Sequence, residues 1–206
     1  MARRIERPEM TETSDIAGES SAKPKLIPGR VLGIDPGLGT TGYAVMDDAV
    51  GSAASLGRLV EAGVLRPKSK PSDDFDLRLM ELHQGVLEII DEYAPQYLAV
   101  ERLHTHARHP RTAILMAHAR GVILLAAQLR QLNIRGYAPT RIKKILTGSG
   151  RAPKEQMQVA VRIQLALEAD PEPHDMADAC AVALCHLASI RAETLAGPAR
   201  GSRLMN

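Results

Sequence analysis

Four acidic residues occupy positions where their carboxylates could do chemistry together. Asp35 closes the apolar run VLGI and Glu101 closes YLAV, so each stands at the end of a segment that reads as a buried strand. In α/β sheets, ligands bind beyond the carboxyl ends of strands. Asp175 and Asp178 are three apart in HDMADACAVALCHL, a spacing that puts both on one helix face with Cβ atoms roughly 5–6 Å apart. If that helix begins beside the sheet, four carboxylates converge. Such a group repels itself unless a hard cation offsets the charge. Oxygen-only ligation favours Mg²⁺ or Mn²⁺ over zinc. Taken singly, Asp175 and Asp178 also read as helix caps or dipole partners. Gly33, Gly37, Gly39 and Gly42 bracket Asp35 and would let a backbone approach it closely.

The formal net charge of +2 hides a segregation of sign. From Arg102 to Lys154 there is no Asp or Glu, and those 53 residues carry 11 positive charges, leaving 15 basic against 24 acidic residues elsewhere. His104, His106, His109 and His118 lie in the same block and add charge below neutrality. A block this long reads either as a solvated basic face or as the docking surface of a polyanion, with nucleic acid the natural candidate. Carboxylates that gather metal, next to a surface that seeks polyphosphate, point to metal-assisted phosphodiester chemistry.

The elements that must position these residues follow from periodicity and breakers. RVLGIDPG, TTGYAVMDD and GRLVEAGVLR read as three strands joined by connections short enough for an antiparallel meander. Ser72 can cap a helix carrying Leu79, Leu82, Val86, Ile89, Ile90 and Tyr93 at helical spacing, with Pro95 just beyond its end. YLAVE is a fourth strand and IRGYA a fifth, separated by a helix over about 111–131. Pro139 begins a helix that Gly148 stops, and Pro153 begins another reaching about Glu168. HDMADACAVALCHLASIRAE forms the last. The expectation is an α/β fold with a five-stranded mixed sheet flanked by helices. Residues 1–28 and 194–206 lack apolar periodicity and read as flexible tails around one domain, 29–193.

With 45% hydrophobic and 24% charged residues the chain is of globular composition. Its scarce aromatics, Phe75, Tyr43, Tyr93, Tyr97 and Tyr137 with no Trp, argue against a base-stacking platform. Cys180 and Cys185 lie in one apolar stretch at a spacing unsuited to a bridge and read as buried thiols in a reducing compartment. No uninterrupted apolar run approaches the length of a membrane span, which suggests a cytoplasmic protein with no membrane partner. GIDPGLGTTGYAV has neither the Walker nor the dinucleotide glycine spacing. It is similar to the phosphate hairpin of actin-like ATPases, but 206 residues leave no room for their two domains.

In order and spacing, GIDPGLGTTGYAV, LAVERL, AHARGVILLAA, GSGRAPKEQ and PHDMADACAVALCHL resemble the RuvC family of bacterial Holliday junction resolvases, from about Val31 to about Leu187. The resemblance implies a ribonuclease-H-like fold, a homodimer, and paired symmetric nicks in four-way junction DNA during recombination and repair. Asp35, Glu101, Asp175 and Asp178 match the family's metal-binding acids, implying two divalent ions per subunit, Mg²⁺ with Mn²⁺ as substitute. Lys154 and Lys143 match its basic residues near the scissile phosphate, the latter uncertain by one position because Lys144 is adjacent. His104 stands where many relatives carry a junction-contacting aromatic, though a His can still stack. His104, Arg108, Arg111, Arg141, Lys143, Lys144, Arg151 and Lys154 are the expected DNA contacts, and a branch-migration complex of the RuvA and RuvB type the expected partner. The competing readings are a nuclease of the same fold acting on other structured DNA or RNA, and a non-catalytic junction-binding protein. A segment around 111–131 with small Ala117, Ala119 and Gly121 reads as the dimer interface or as a core helix.

Overall fold

The computed structural model describes residues 2–4, 26–49, 55–69, 75–103 and 110–196. Its centre is a sheet in which β2 (Ile27–Asp35), β3 (Thr41–Asp48) and β4 (Gly57–Arg66) form the antiparallel meander, and β5 (Pro95–Glu101) and β6 (Asn133–Tyr137) run parallel to β2 on its other side. These are the five strands that the sequence announces. A three-residue strand β1 (Ala2–Arg4), from within the expected tail, pairs parallel with β4 and makes the order β1-β4-β3-β2-β5-β6. It covers backbone groups that an edge strand otherwise leaves unpaired. Of the two expected tails, residues 1, 5–25 and 197–206 lie outside the described residues, as does the expected cap Ser72, while β2 begins at Ile27, two residues inside the first expected tail.

Alternation along each strand sorts side chains between two layers. Leu32, Ile34, Tyr43, Val45 and Leu98 face α1 (Phe75–Tyr93) and α2 (Pro110–Leu129), where Leu82, Val86, Ile89, Ile90, Ile123 and Ala126 complete one core. Val31, Ala44, Met46, Ala99 and Tyr137 face the other layer, formed by α3 (Pro139–Thr147), α4 (Lys154–Gln164) and α5 (His174–Ala196). The helix starting after Pro153 ends about four residues earlier than expected, because Ala166 takes a left-handed φ of 51° and turns the chain toward α5. The last helix runs to Ala196, three residues past the expected domain boundary.

α5 is the central helix of its layer, with both cysteines buried in it. Two glycines let it lie directly on the sheet. A Cβ on Gly33 would come 2.5 Å from the Ala179 carbonyl oxygen, and one on Gly42 would overlap the carbonyl of Asp175. Its far end is tied down by Arg191, whose Nη2 lies 2.6 Å from Asp48 Oδ1. By length and composition, α5 and the stretch Arg111–Leu129 of α2 could each cross a membrane, although Arg120 and the charges of α5 interrupt their apolar runs. α5 is largely enclosed. α2 packs one face on α1 and leaves Ile114, Leu125 and Leu129 exposed on another.

Candidate active site

The same alternation that builds the core aims the acids. Asp35 continues the series Val31, Gly33, and Glu101 continues Tyr97, Ala99, so both carboxylates point to the α5 side of two adjacent parallel strands, at their carboxyl ends. Asp175 and Asp178 stand in the first two turns of α5. The seats at Gly33 and Gly42 hold those turns against β2 and β3, so backbone contact between helix and sheet brings the four carboxylates within electrostatic range of one another.

The electrostatics record the convergence. Burial pushes Asp35 up to about 7, and the charges of Asp178, Glu101 and Asp175 push the same way while Lys154 opposes them. Glu101 also rises to about 7, first through burial, then through Asp178, with Lys143 opposing. Of the expected basic residues, Lys154 places Nζ 3.4 Å from Asp178 Oδ2. Lys143 and Lys154 line a hollow of about 310 Å³ with Glu101, Asp178, Pro139 and Ile142. Lys144 does not line it: Pro139, Ile142 and Lys143 share one face of α3 by their spacing of three and four, and Lys144 is turned outward. Lys143 is therefore the one that faces the carboxylates.

The remaining expected DNA contacts are placed variously. Arg111 and Arg151 are exposed. Arg141 donates to Ser189 Oγ at 3.1 Å and stacks its guanidinium 5.5 Å from the centre of the Tyr137 ring, so it is engaged within the α5 layer. His104 and Arg108 lie outside the described residues.

A second hollow, of about 460 Å³, opens on the other side of the acids and is lined by Asp35, Asp175, the loop 36–40, Thr112 and Arg78. Arg78 lies outside the acid-free block, in a stretch whose charge gives no sign of it. Its Nη2 donates to the Leu38 carbonyl at 3.1 Å, holding the loop that follows Asp35.

Among the described residues no three His, Cys, Asp or Glu side chains are drawn together tightly enough to cage an ion as they stand. The donor set nevertheless fits a hard divalent cation: four carboxylates offering only oxygen, two of them pushed up to about 7 by burial and then by their carboxylate neighbours. The thiols do not compete, because burial pushes Cys180 up to about 12 and Cys185 to about 11 and keeps both protonated.

A family model described as crossover junction endodeoxyribonuclease RuvC matches residues 31–186. The protein of that name from Rhodopirellula baltica is 51% identical over 155 residues, covering 75% of this chain and 84% of the relative. Among solved structures, Thermus thermophilus RuvC matches with a TM-score of 0.72 at 31% identity, over 79% of this chain and 96% of that one. The T. thermophilus RuvC in complex with Holliday junction substrate gives the same TM-score at 34% identity, over 79% and 95%. With its ribonuclease-H-like sheet, its acids at two strand ends and one helix start, and these relatives, the chain belongs to the RuvC family of crossover junction endodeoxyribonucleases.

Proposed function

We propose that this chain is an endonuclease that resolves four-way DNA junctions in recombination and repair, hydrolysing one backbone phosphodiester per subunit at the centre formed by Asp35, Glu101, Asp175 and Asp178. The observation that carries the reading is the electrostatic coupling of these four carboxylates, from two strand ends and one helix start, beside a stretch with no acid from Arg102 to Lys154.

These residues would hold Mg²⁺, with Mn²⁺ as substitute and two ions per subunit, and a bound ion would supply electrophilic charge at the phosphate. The chain's own groups do the rest. Lys154 and Lys143, on the rim of the hollow that contains Glu101 and Asp178, stabilise the charge that grows on the phosphoryl oxygens. Water adds to phosphorus in line with the departing 3′ oxygen, which takes up a proton, leaving 5′-phosphate and 3′-hydroxyl ends. Arg111, Arg151 and Lys144, with His104 and Arg108, hold the arms through phosphate contacts.

Selectivity for a branched substrate needs two centres, since one phosphate looks alike in duplex and junction. A homodimer supplies them. Ile114, Ala117, His118, Gly121, Leu125 and Leu129 recur at spacings of three and four along one exposed face of α2. The Phe75 ring stands edge-on to His118 at 5.1 Å and extends that face. A second copy is the occupant that a self-complementary stripe of small and aliphatic residues suits. Cytoplasmic residence and work beside a branch-migration complex belong to the same proposal, supported by membership of the family.

The test is cleavage of a synthetic four-way junction beside a linear duplex of the same arms, in Mg²⁺, in Mn²⁺ and in chelator. Symmetric nicks in the junction alone, lost with chelator, are expected. Equal or faster cutting of the duplex would replace the junction by another substrate, and binding without cutting would mark a scaffold.

A further inference from the structure

The acid-free block contains one arrangement that its charge count does not disclose. Arg102 follows the catalytic-centre residue Glu101, and by strand alternation its side chain leaves on the opposite face of the sheet, the face covered by α2. Arg120 reaches the same place from α2. Between them lies Gly136 of β6, paired with Val100 and turned to the α2 face like Ile134 two residues before it. The position that a Cβ would take on Gly136 is 3.1 Å from Arg102 Nε and 3.7 Å from an Arg120 Nη atom. Two guanidinium groups thus share one seat that only the lack of a side chain provides.

Neither arginine pairs with a carboxylate among the described residues. Arg120 Nε donates to the Glu101 carbonyl at 3.3 Å, which anchors one edge of its guanidinium and leaves both Nη groups without a hydrogen-bond partner among the described residues. Like charges held together at a cost, with donors left over and an anchored fork, are the makings of an anion site, and the planar fork of Arg matches the oxygens of a phosphate.

We propose that Arg102 and Arg120 form a two-arginine receptor for a single backbone phosphate of the DNA, on the side of β5 opposite the catalytic carboxylates. The receptor rests on the reading of the chain as a DNA enzyme. Because the backbone of β5 carries Glu101 toward one face and Arg102 toward the other, a phosphate gripped here is in register with the scissile one through a single rigid strand. It lies at the margin of α2, beside the exposed apolar stripe proposed above as the dimer contact.

The experiment measures binding of a fluorescein-labelled four-way junction, and of a linear duplex of the same arms, by anisotropy in chelator across a series of salt concentrations. It compares the full chain with Arg102→Gln, Arg120→Gln and the double variant. Loss of one phosphate contact lowers the slope of log affinity against log salt by about 0.9. One shared phosphate therefore predicts a shallower slope by about that amount in each single variant and no more in the double, with junction affinity down severalfold at moderate salt. Unchanged slopes would overturn the receptor, and so would a double variant whose slope falls by twice as much, which means two separate phosphates. Arg102 is exposed, so its variant remains informative even if Arg120→Gln loses the anchor on Glu101 and melts early. A wild-type chain that binds junction and duplex alike would defeat the junction reading, yet a slope change on both would keep the receptor. Junction preference with unaltered slopes would do the reverse.

Discussion

Replacing Asp35 by Asn should stabilise the ion-free protein at alkaline pH while abolishing its chemistry. In the folded chain Asp35 is raised from 3.8 to about 7 by burial and by three carboxylate neighbours. Between those values the folded state holds a proton that the unfolded chain has released, so stability falls as pH rises, by about 1.4 kcal/mol per pH unit. The favourable contribution is complete below about pH 4 and lost once pH passes about 7. Over that window the ceiling is about 4 kcal/mol. Glu101 titrates in the same range and shares the repulsion, so relief of one carboxylate is worth less, on the order of 2 kcal/mol. For a domain of this size that is roughly 4–8 °C in Tm. The assay is thermal unfolding of wild type and Asp35→Asn in chelator at pH 8 and pH 4.5, then at pH 8 with millimolar Mg²⁺. The variant should melt higher at pH 8, the advantage should shrink at pH 4.5, and added ion should raise the wild type more than the variant. An Asp35→Asn protein that melts lower than wild type at pH 8, or a difference that ignores pH, would mean that the Asp35 carboxylate is not held at a cost in the ion-free fold.

Three further outcomes follow from the geometry. Gly42→Ala would drive a methyl into the Asp175 carbonyl; the start of α5 must shift, and we expect a stability loss of about 1–3 kcal/mol with cleavage reduced at least tenfold, read by denaturant unfolding and single-turnover cutting. Lys154→Ala and Lys143→Ala should each cut the junction about 10²-fold more slowly with the ion concentration for half-maximal activity little changed, whereas Lys144→Ala, turned from the hollow, should cut within a few-fold of wild type. Leu125→Glu buries a charge if α2 meets its copy in a dimer; sedimentation should find it monomeric, and a monomeric wild type at micromolar concentration would remove the interface from α2.

The parts of the site legible in the sequence are those set by short-range pattern. Asp35 and Glu101 each close an apolar run and so stand at strand ends, a three-residue spacing puts Asp175 and Asp178 on one helix face, and the glycines around Asp35 signal that something lies close to it. That the two strand-end acids share a face comes only from the pairing of β2 with β5. The structure names that neighbour as the backbone of α5, packed on Gly33 and Gly42. What was hidden depended on contacts between distant segments. The choice of Lys143 over Lys144 needs the rotation of α3, which is fixed by packing Ile142 on the α5 layer. Arg78 belongs to an acid-rich part of the chain, and only the fold brings it to the loop after Asp35. In the sequence Arg102 and Arg120 are two charges among eleven; their common seat requires the register of β5 on β6 and the placement of α2. The strand at Ala2–Arg4 has no periodicity to reveal it; it exists because β4 offers an open edge.

The most direct measurement of the central claim takes four single variants, Asp35→Asn, Glu101→Gln, Asp175→Asn and Asp178→Asn, through single-turnover cleavage of a four-way junction and, in parallel, through junction binding in chelator. Each should lose at least about 10³-fold in cutting while binding is kept or strengthened, since each removes a negative charge that faces the DNA phosphates. Any one of the four that cuts within tenfold of wild type, at undiminished stability, would contradict a single four-carboxylate centre.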